Sequence, residues 1–371
     1  MPCAIDEQSK WAFWVDRANM QKRQIETRRK RLMWAPLVQG QSRIQIERLA
    51  FSANNILYMT LGDKNGYWDL FPGDDAFGCP PAWGVGRVVE TKSEHLSEGE
   101  RLFGFFPIGS HCVLTPTNLG ACHILDVAPN RMAVAPAYNR YSRLTHVSGY
   151  DGVDGDWRIL LRPLAVVGML VAQVLADNRF FEATSLVITS ASSKTGIGVG
   201  SIVKQSNPEK RIIGVTAKSR VKFVQSLNVF DEVTAYGDYS SLQAESSLLF
   251  DLTGSVSLVS ELQQKLSSGL LKTWAAGRSH KTNHLSEQGV SGLVSERFFA
   301  PLYMSEYLSK WGGAEFEKRF SSAIEILKNV LVPHLTIDRI QTTTQLSDVY
   351  DAFLGNTITS NHGYIIDALS I

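Results

Sequence analysis

Between Ser190 and Gly196 the chain reads Ser190-Ala191-Ser192-Ser193-Lys194-Thr195-Gly196, directly after the apolar run Leu186-Val187-Ile188-Thr189. Small side chains let a backbone approach a pyrophosphate closely. A helix that opens there aims unpaired N–H groups and the positive end of its dipole at the anion. Val199, Ile202 and Val203 follow at helical spacing, so strand, small-residue turn and helix together predict a phosphate cradle. It is not a Walker loop, because Ser193 stands before Lys194-Thr195 where that loop needs glycine. An ATPase is therefore not expected.

The next strand, Arg211 to Thr216, ends in Ala217-Lys218-Ser219-Arg220, with Lys222 close behind. A dinucleotide fold specific for NAD usually places Asp or Glu at this point, to accept from the ribose 2′-hydroxyl. Cations without a carboxylate suit a 2′-phosphate and favour NADP(H). The plainer alternative is that Lys218 and Arg220 solvate a helix start, although cations there oppose the helix dipole. Ligands of open parallel sheets bind outside the carboxyl ends of the strands. Thr253-Gly254 and Ala276-Gly277-Arg278 are therefore expected along the cofactor, and Phe299 in Phe298-Phe299-Ala300-Pro301 either closes over the nicotinamide or packs a corner.

Hydride chemistry also needs a donor for the developing enolate or alkoxide. Tyrosine is a suitable handle, and the β-rich region has Tyr58 and Tyr67 among its tyrosines, with Trp68 as a further wall of an aromatic pocket. The bland reading of all three is core packing. Asn54 and Asn55 read as a tight turn. No metal site is expected. Cys3, Cys79, Cys112 and Cys122 are scattered, and neighbours His111 and Cys112 would point to opposite faces of a strand. His280 and His284 lack the intervening glutamate of a zinc protease.

Three regions must position these groups. From Trp11 to about Tyr150, short strands such as Ile44–Leu49 and Val85–Val89 alternate with turns rich in Gly, Pro, Asn and Asp. From about Arg162, before Pro163 at an expected helix start, to Leu331, strands and helices alternate, as in a doubly wound parallel sheet. The end returns to β character through Gln341–Thr344 and Gly363–Asp367, around a short helix near Tyr350. This predicts an α/β protein with a nucleotide-binding domain (161–335) inserted into a β-domain (1–160 and 336–371).

With 371 residues and a net charge of +1, the chain is long enough for two cores and offers no electrostatic case for nucleic acid or an anionic membrane. The longest apolar candidate for a membrane span, Ile159 to Leu175, is interrupted by Arg162, Pro163 and Gln173. The basic run from Gln21 to Arg31 reads as a solvated strand pair or turn. MPCAIDEQSK has no signal-peptide core, which points to a cytoplasmic protein; the dinucleotide reading makes a small-molecule substrate the expected partner.

Taken together these residues resemble the zinc-free, quinone-oxidoreductase-like side of the medium-chain dehydrogenase/reductase superfamily. Ser190 to Ile197 resembles its phosphate loop, and Ile212–Thr216, Phe223–Asn228 and Asp231–Val233 resemble the run that follows it. More narrowly, the chain is similar to the domain of unknown function 2855. The motifs are Ser52–Asn55, Gly66–Pro72, Pro81–Gly84, Tyr138–Tyr141, Leu161–Leu164, Ser190–Thr195 and Phe298–Pro301. The resemblance implies a GroES-like substrate domain split around a Rossmann domain. It also implies a 2′-phosphate site that includes Tyr236, and a Tyr58 that faces the nicotinamide. Edge-to-edge pairing of Rossmann sheets is frequent in that superfamily, and the apolar strand near Leu270-Leu271 is compatible with a homodimer. Asn228 stands where that group has glycine, and Gly198 and Gly200 where alanine is common.

The expected activity is NADPH-dependent reduction of an activated C=C or C=O, in an enone, enoyl thioester or quinone. The type of family suggests an accessory role in secondary metabolism. A non-redox lyase or isomerase, or a cofactor-sensing binding protein on the same fold, is the alternative; nicotinamide absorbance during turnover separates the two.

Overall fold

The computed structural model describes residues 10–26, 35–73, 76–144, 149–243, 246–266, 268–276, 295–358 and 361–371. The chain divides into two compact units, Met1–Leu160 with Leu335–Ile371, and Leu161–His334.

The first unit opens with β1 (Ala12–Asp16), β2 (Arg23–Glu26) and β3 (Ser42–Phe51), then α1 (Ala53–Thr60) and α2 (Gly62–Asn65). It continues through β4 (Phe77–Gly78), β5 (Pro81–Thr91), β6 (Arg101–Pro107), β7 (His111–Leu114), β8 (Pro116–Asn118), β9 (His123–Asp126) and β10 (Arg140–Arg143). The long helix α3 (Gly152–Asp177) then leads into the second unit. That unit holds β11 (Ser185–Thr189), α4 (Lys194–Ser206), β12 (Arg211–Thr216), α5 (Val221–Ser226), β13 (Glu232–Ala235) and β14 (Ser247–Asp251). It ends with α6 (Val256–Leu266), β15 (Leu270–Ala275), β16 (Ser295–Arg297) and α7 (Ala300–Leu331). The chain returns to the first unit through β17 (Thr336–Ile340), α8 (Thr343–Leu354) and β18 (His362–Asp367).

In the first unit the main sheet runs β17-β18-β3-β5-β6-β10-β9-β8, with β7 also on β3, and a small sheet runs β2-β1-β4. The return strand β18 pairs antiparallel with β3, Ile366 opposite Leu49, so both ends of the split unit share one sheet. Its core is unusually aromatic: Trp11, Phe13, Trp14, Phe51, Phe105, Phe106 and Tyr141 are all buried. In the second unit all described strands are parallel, in the order β13-β12-β11-β14-β15-β16. This is the doubly wound order 3-2-1-4-5-6, whose reversal lies between β11 and β14. β11 and β14 are buried at every position, which their continuous apolar runs require of strands covered on both faces.

Several local expectations change. Asn54 and Asn55 lie in a helix instead of a turn. Ser52 is the N-cap of α1, its hydroxyl accepts from Asn54 N, and Asn55 Oδ1 accepts from Ser52 N at 2.7 Å. Gln341–Thr344 is the start of α8 and not a strand: Thr342 Oγ1 accepts from Gln345 N, and the β-branched threonines serve a cap. Helix α3 begins ten residues before Arg162, so Pro163 sits inside it rather than in its first turn. Arg162 is held within the second unit by Glu317 at 2.8 Å and lies 4.2 Å over the Phe320 ring. By length and composition α3 could cross a membrane despite Arg162, Pro163 and Gln173, and it is mostly buried inside the protein. β16 pairs with the Thr273–Ala275 half of the Leu270 strand.

The glycines Gly168 and Gly200 serve helix packing, whereas a Cβ on Gly198 would make only an ordinary contact. A Cβ on Gly168 of α3 would come 2.9 Å from the carbonyl oxygen of Gly198 in α4, and one on Gly200 would meet Phe230 at 2.9 Å. Asn228 adopts φ +52°, a conformation that asparagine tolerates better than most residues. Between α3 and β11, Arg179, Phe180, Phe181 and Glu182 form a left-handed turn with φ of 50°, 57°, 51° and 60°. Buried Phe180 anchors it, with Lys210 Nζ 5.0 Å from the ring.

Candidate functional site

The turn after β11 is tied to both strands beside it on one side of the sheet. Ser190 has φ +49°, in the left-handed region that a non-glycine residue enters at a cost, and its N–H donates to the Tyr236 hydroxyl at 2.9 Å. Tyr236 follows β13 directly and Thr216 ends β12. Thr216 Oγ1 donates to Ser192 Oγ at 3.0 Å. Ser193 is the N-cap of α4, its Oγ accepting from Gly196 N at 3.0 Å. Gly196 lets the helix approach, because a Cβ there would stand 2.6 Å from the Ser190 carbonyl oxygen. Among the described residues the backbone N–H groups of Ser192 and Thr195 have no hydrogen-bond partner. A helix start with free N–H groups is built to accept an anion.

Lys194 is the first residue of α4, and burial lowers its ammonium pKa to about 8. Lys218 and Ser219 are exposed and Arg220 half-buried in a short 3₁₀ turn that begins two residues after Thr216. The cradle and this cationic turn thus leave adjacent, hydrogen-bonded strand ends.

At the end of β14, Thr253 is wholly buried and takes a supporting part. Asp251 Oδ1 accepts from Thr189 Oγ1 (2.6 Å), Thr253 N and Thr253 Oγ1, while Oδ2 accepts from Gly254 N. This network joins the ends of β11 and β14 at the point where the strand order reverses. Asp251 was not singled out from sequence, although Asp-x-Thr-Gly after an apolar strand is a recognisable Asx-turn signature. Phe299 is the N-cap residue of α7, half-exposed, with the Arg297 guanidinium 4.7 Å over its ring. The neighbouring Phe298 is the buried one, stacked on Tyr303 at 4.6 Å. Gly277, Arg278, His280 and His284 lie outside the described residues.

In the first unit, Tyr58 projects from α1 into an aromatic cluster. Its ring meets Tyr67 at 5.1 Å and Phe105 at 5.0 Å, both edge-on. Its hydroxyl accepts from the Trp83 indole N–H at 3.2 Å, and burial pushes its pKa well above the usual phenol range. Tyr67 donates to the Tyr138 hydroxyl at 2.9 Å and is 3% exposed, so its proton is already engaged. Trp68 is not a pocket wall. It fills a buried slot between Gly62 and Gly78, where a Cβ on either glycine would overlap the indole. Trp83 and Tyr138 were missed as partners of these tyrosines, because nothing local links strand β5 to helix α1. Among the described residues no group of three His, Cys, Asp or Glu side chains is placed to hold a metal ion.

The fold is thus a split β-unit interrupted by a 3-2-1-4-5-6 parallel sheet with a phosphate-type cradle at its first strand. The chain belongs to the family described as protein of unknown function (DUF2855), whose model matches residues 49–359. Among solved structures, it is similar to CurA from Vibrio vulnificus in complex with NADPH, at 12% identity and TM-score 0.57, covering 96% of this chain and 98% of that one. TarJ from S. aureus gives 11% identity, TM-score 0.58 and coverage of 96% and 98%. The yhdH oxidoreductase from Salmonella enterica in complex with NADP gives 12%, 0.53, and 96% and 99%. These likenesses establish the fold. A comparison with curated protein sequences gives no match.

Proposed function

We propose that the protein is an NADPH-dependent, zinc-independent oxidoreductase that reduces an activated C=C or C=O, as in an enone, enoyl thioester or quinone. The observation that carries this reading is the pairing of the cradle with a carboxylate-free, cationic turn at the end of β12. Structures of the same fold are described with NADPH or NADP bound.

The residues present fit the cofactor. The free N–H groups of Ser192 and Thr195, with Lys194, would hold the pyrophosphate. Lys218, Ser219 and Arg220, with the hydroxyl of Tyr236, would hold the 2′-phosphate. Bound there, the reduced nicotinamide supplies a hydride. Thr253 and Gly254 keep the β14 turn rigid through Asp251. Phe299 is assigned to the nicotinamide end. Tyr58 is proposed as the proton donor: its phenol would give its proton to the substrate oxygen as negative charge develops there. Water then returns a proton to Tyr58.

The test is a fluorescence titration with NADPH and NADH. Wild-type protein should bind NADPH more tightly. Replacing Lys218 and Arg220 together by Ala should weaken NADPH by about ten- to a hundredfold, the worth of lost charge-assisted hydrogen bonds, and leave NADH nearly unchanged. Equal affinity for both cofactors in the wild type would refute the assignment.

A further inference from the structure

Tyr58 has one hydrogen-bond partner among the described residues, and that partner is a donor. The Trp83 indole N–H, 3.2 Å away, occupies a lone pair of the phenolic oxygen. The other neighbours of the Tyr58 ring are edge-on aromatics, Tyr67, Phe105 and Tyr138 at 5.1, 5.0 and 6.2 Å. The one hydroxyl on Tyr67 is itself donated to Tyr138. The phenolic hydrogen of Tyr58 is therefore not consumed inside the cluster. Indole is a donor only, so the direction of the Trp83–Tyr58 bond cannot reverse.

Trp83 packs against two aromatic rings. Its ring is parallel to that of Phe103, 5.9 Å away at 6°, and it lies 4.8 Å from Phe105. All three sit on paired strands β5 and β6, where Trp83 faces Phe105 directly across the ladder. Tyr58, by contrast, stands on the short helix α1, which is anchored to β5 by Asn55 Nδ2 donating to the Pro81 carbonyl at 2.8 Å.

We infer that Trp83 is a positioning residue, which fixes the Tyr58 hydroxyl as a proton donor by occupying its acceptor side. This rests on the reading of Tyr58 as the proton source. Burial, which holds the phenol protonated throughout the neutral range, is in keeping with that role. Trp83→Phe keeps an aromatic ring against Phe103 and Phe105 and removes the N–H together with part of the indole's volume. Without the N–H, the phenolic hydrogen is free to rotate away from the substrate oxygen.

The experiment uses full-length protein with tyrosine isotopically labelled at Cζ, the Tyr58 resonance being assigned by its loss in Tyr58→Phe. NADPH oxidation is followed with cyclohexenone as the probe acceptor. W83F should shift the Tyr58 Cζ resonance and lower turnover by about three- to tenfold, the scale of one net hydrogen bond, with NADPH affinity unchanged. In a Y58F background the same change should have no further effect on turnover. An unmoved Cζ resonance in W83F overturns the inference whether or not cyclohexenone is turned over. A slow Y58F with a W83F as fast as wild type overturns the role of Trp83 alone. A Y58F as fast as wild type overturns Tyr58 as donor, and the positioning role with it.

Discussion

The backbone N–H of Ser190 donates to the hydroxyl of Tyr236 at 2.9 Å. A left-handed residue at the end of β11 is thus held by a side chain that follows β13, two strands away in the sheet. Tyr236→Phe removes the acceptor from a buried N–H and should cost about 1–3 kcal/mol in stability. Chemical denaturation measures this, and NADPH titration of the same variant should show weaker binding, because the cradle loses its tether.

Two glycines of α4 should respond in opposite ways to alanine. At Gly196 a Cβ would stand 2.6 Å from the Ser190 carbonyl oxygen, so Gly196→Ala should destabilise by about 1–3 kcal/mol and distort the cradle. At Gly198 the nearest atom to a Cβ is Leu327 Cδ2 at 3.4 Å, an ordinary contact. Gly198→Ala should therefore stabilise by about 0.5–1 kcal/mol, the helix-propensity difference. Thermal melts of the two variants decide the matter.

The left-handed turn at Arg179–Glu182 stores backbone strain at two exposed positions, Arg179 and Glu182. Left-handed φ costs an L-residue about 1–2 kcal/mol, somewhat more than the extra chain entropy of glycine. Arg179→Gly or Glu182→Gly should each raise stability by up to about 1 kcal/mol. Arg179→Val, β-branched, should lower it.

His111 is buried on β7, and burial, helped by Arg43 and Lys10, lowers its pKa from 6.5 to about 4. Between those values the unfolded chain binds a proton that the folded chain does not, so stability falls as pH drops through that window. The loss amounts to about 3 kcal/mol by pH 4. His111→Asn should flatten this part of a pH–stability profile measured by urea unfolding.

Lys194 gives the opposite edge of the pH range. Its lowered pKa, about 8 against 10.5, means that the unfolded chain again holds the extra proton, so stability rises with pH between these values. A bound phosphate favours the charged ammonium, so NADPH affinity should fall as pH rises through about 8, with proton uptake on binding detectable by calorimetry in buffers of different ionisation enthalpy. Lys194→Met should bind NADPH more weakly and with that pH dependence removed.

The order of residues carried much of this protein in readable form. Leu186–Thr189 followed by Ser190–Gly196 and by Val199, Ile202 and Val203 is a local pattern, and β11, the turn and α4 stand where it puts them. The strand–helix alternation after Arg162 likewise announced the parallel sheet. Local pattern failed where one residue type serves two structures. Asn54-Asn55 and Thr342–Thr344 read as turn and strand, while Ser52 and Thr342 are helix caps. Pro163 looked like a helix start, whereas α3 begins ten residues before Arg162, whose partners on α7, Glu317 and Phe320, are distant in sequence.

Sequence alone thus determined the fold class, the place of the cradle and the sign of charge beside it, since strand and helix periods and turn chemistry are properties of neighbouring residues. Only the tertiary structure decided which side chains meet. Trp83 reaches Tyr58 across 25 residues, Tyr236 reaches Ser190 across 46, and Thr189 reaches Asp251 across 62. Those pairings arise from strand order and from the seating of α1 beside β5, and a hydrogen bond between residues so far apart leaves no spacing for a sequence to show.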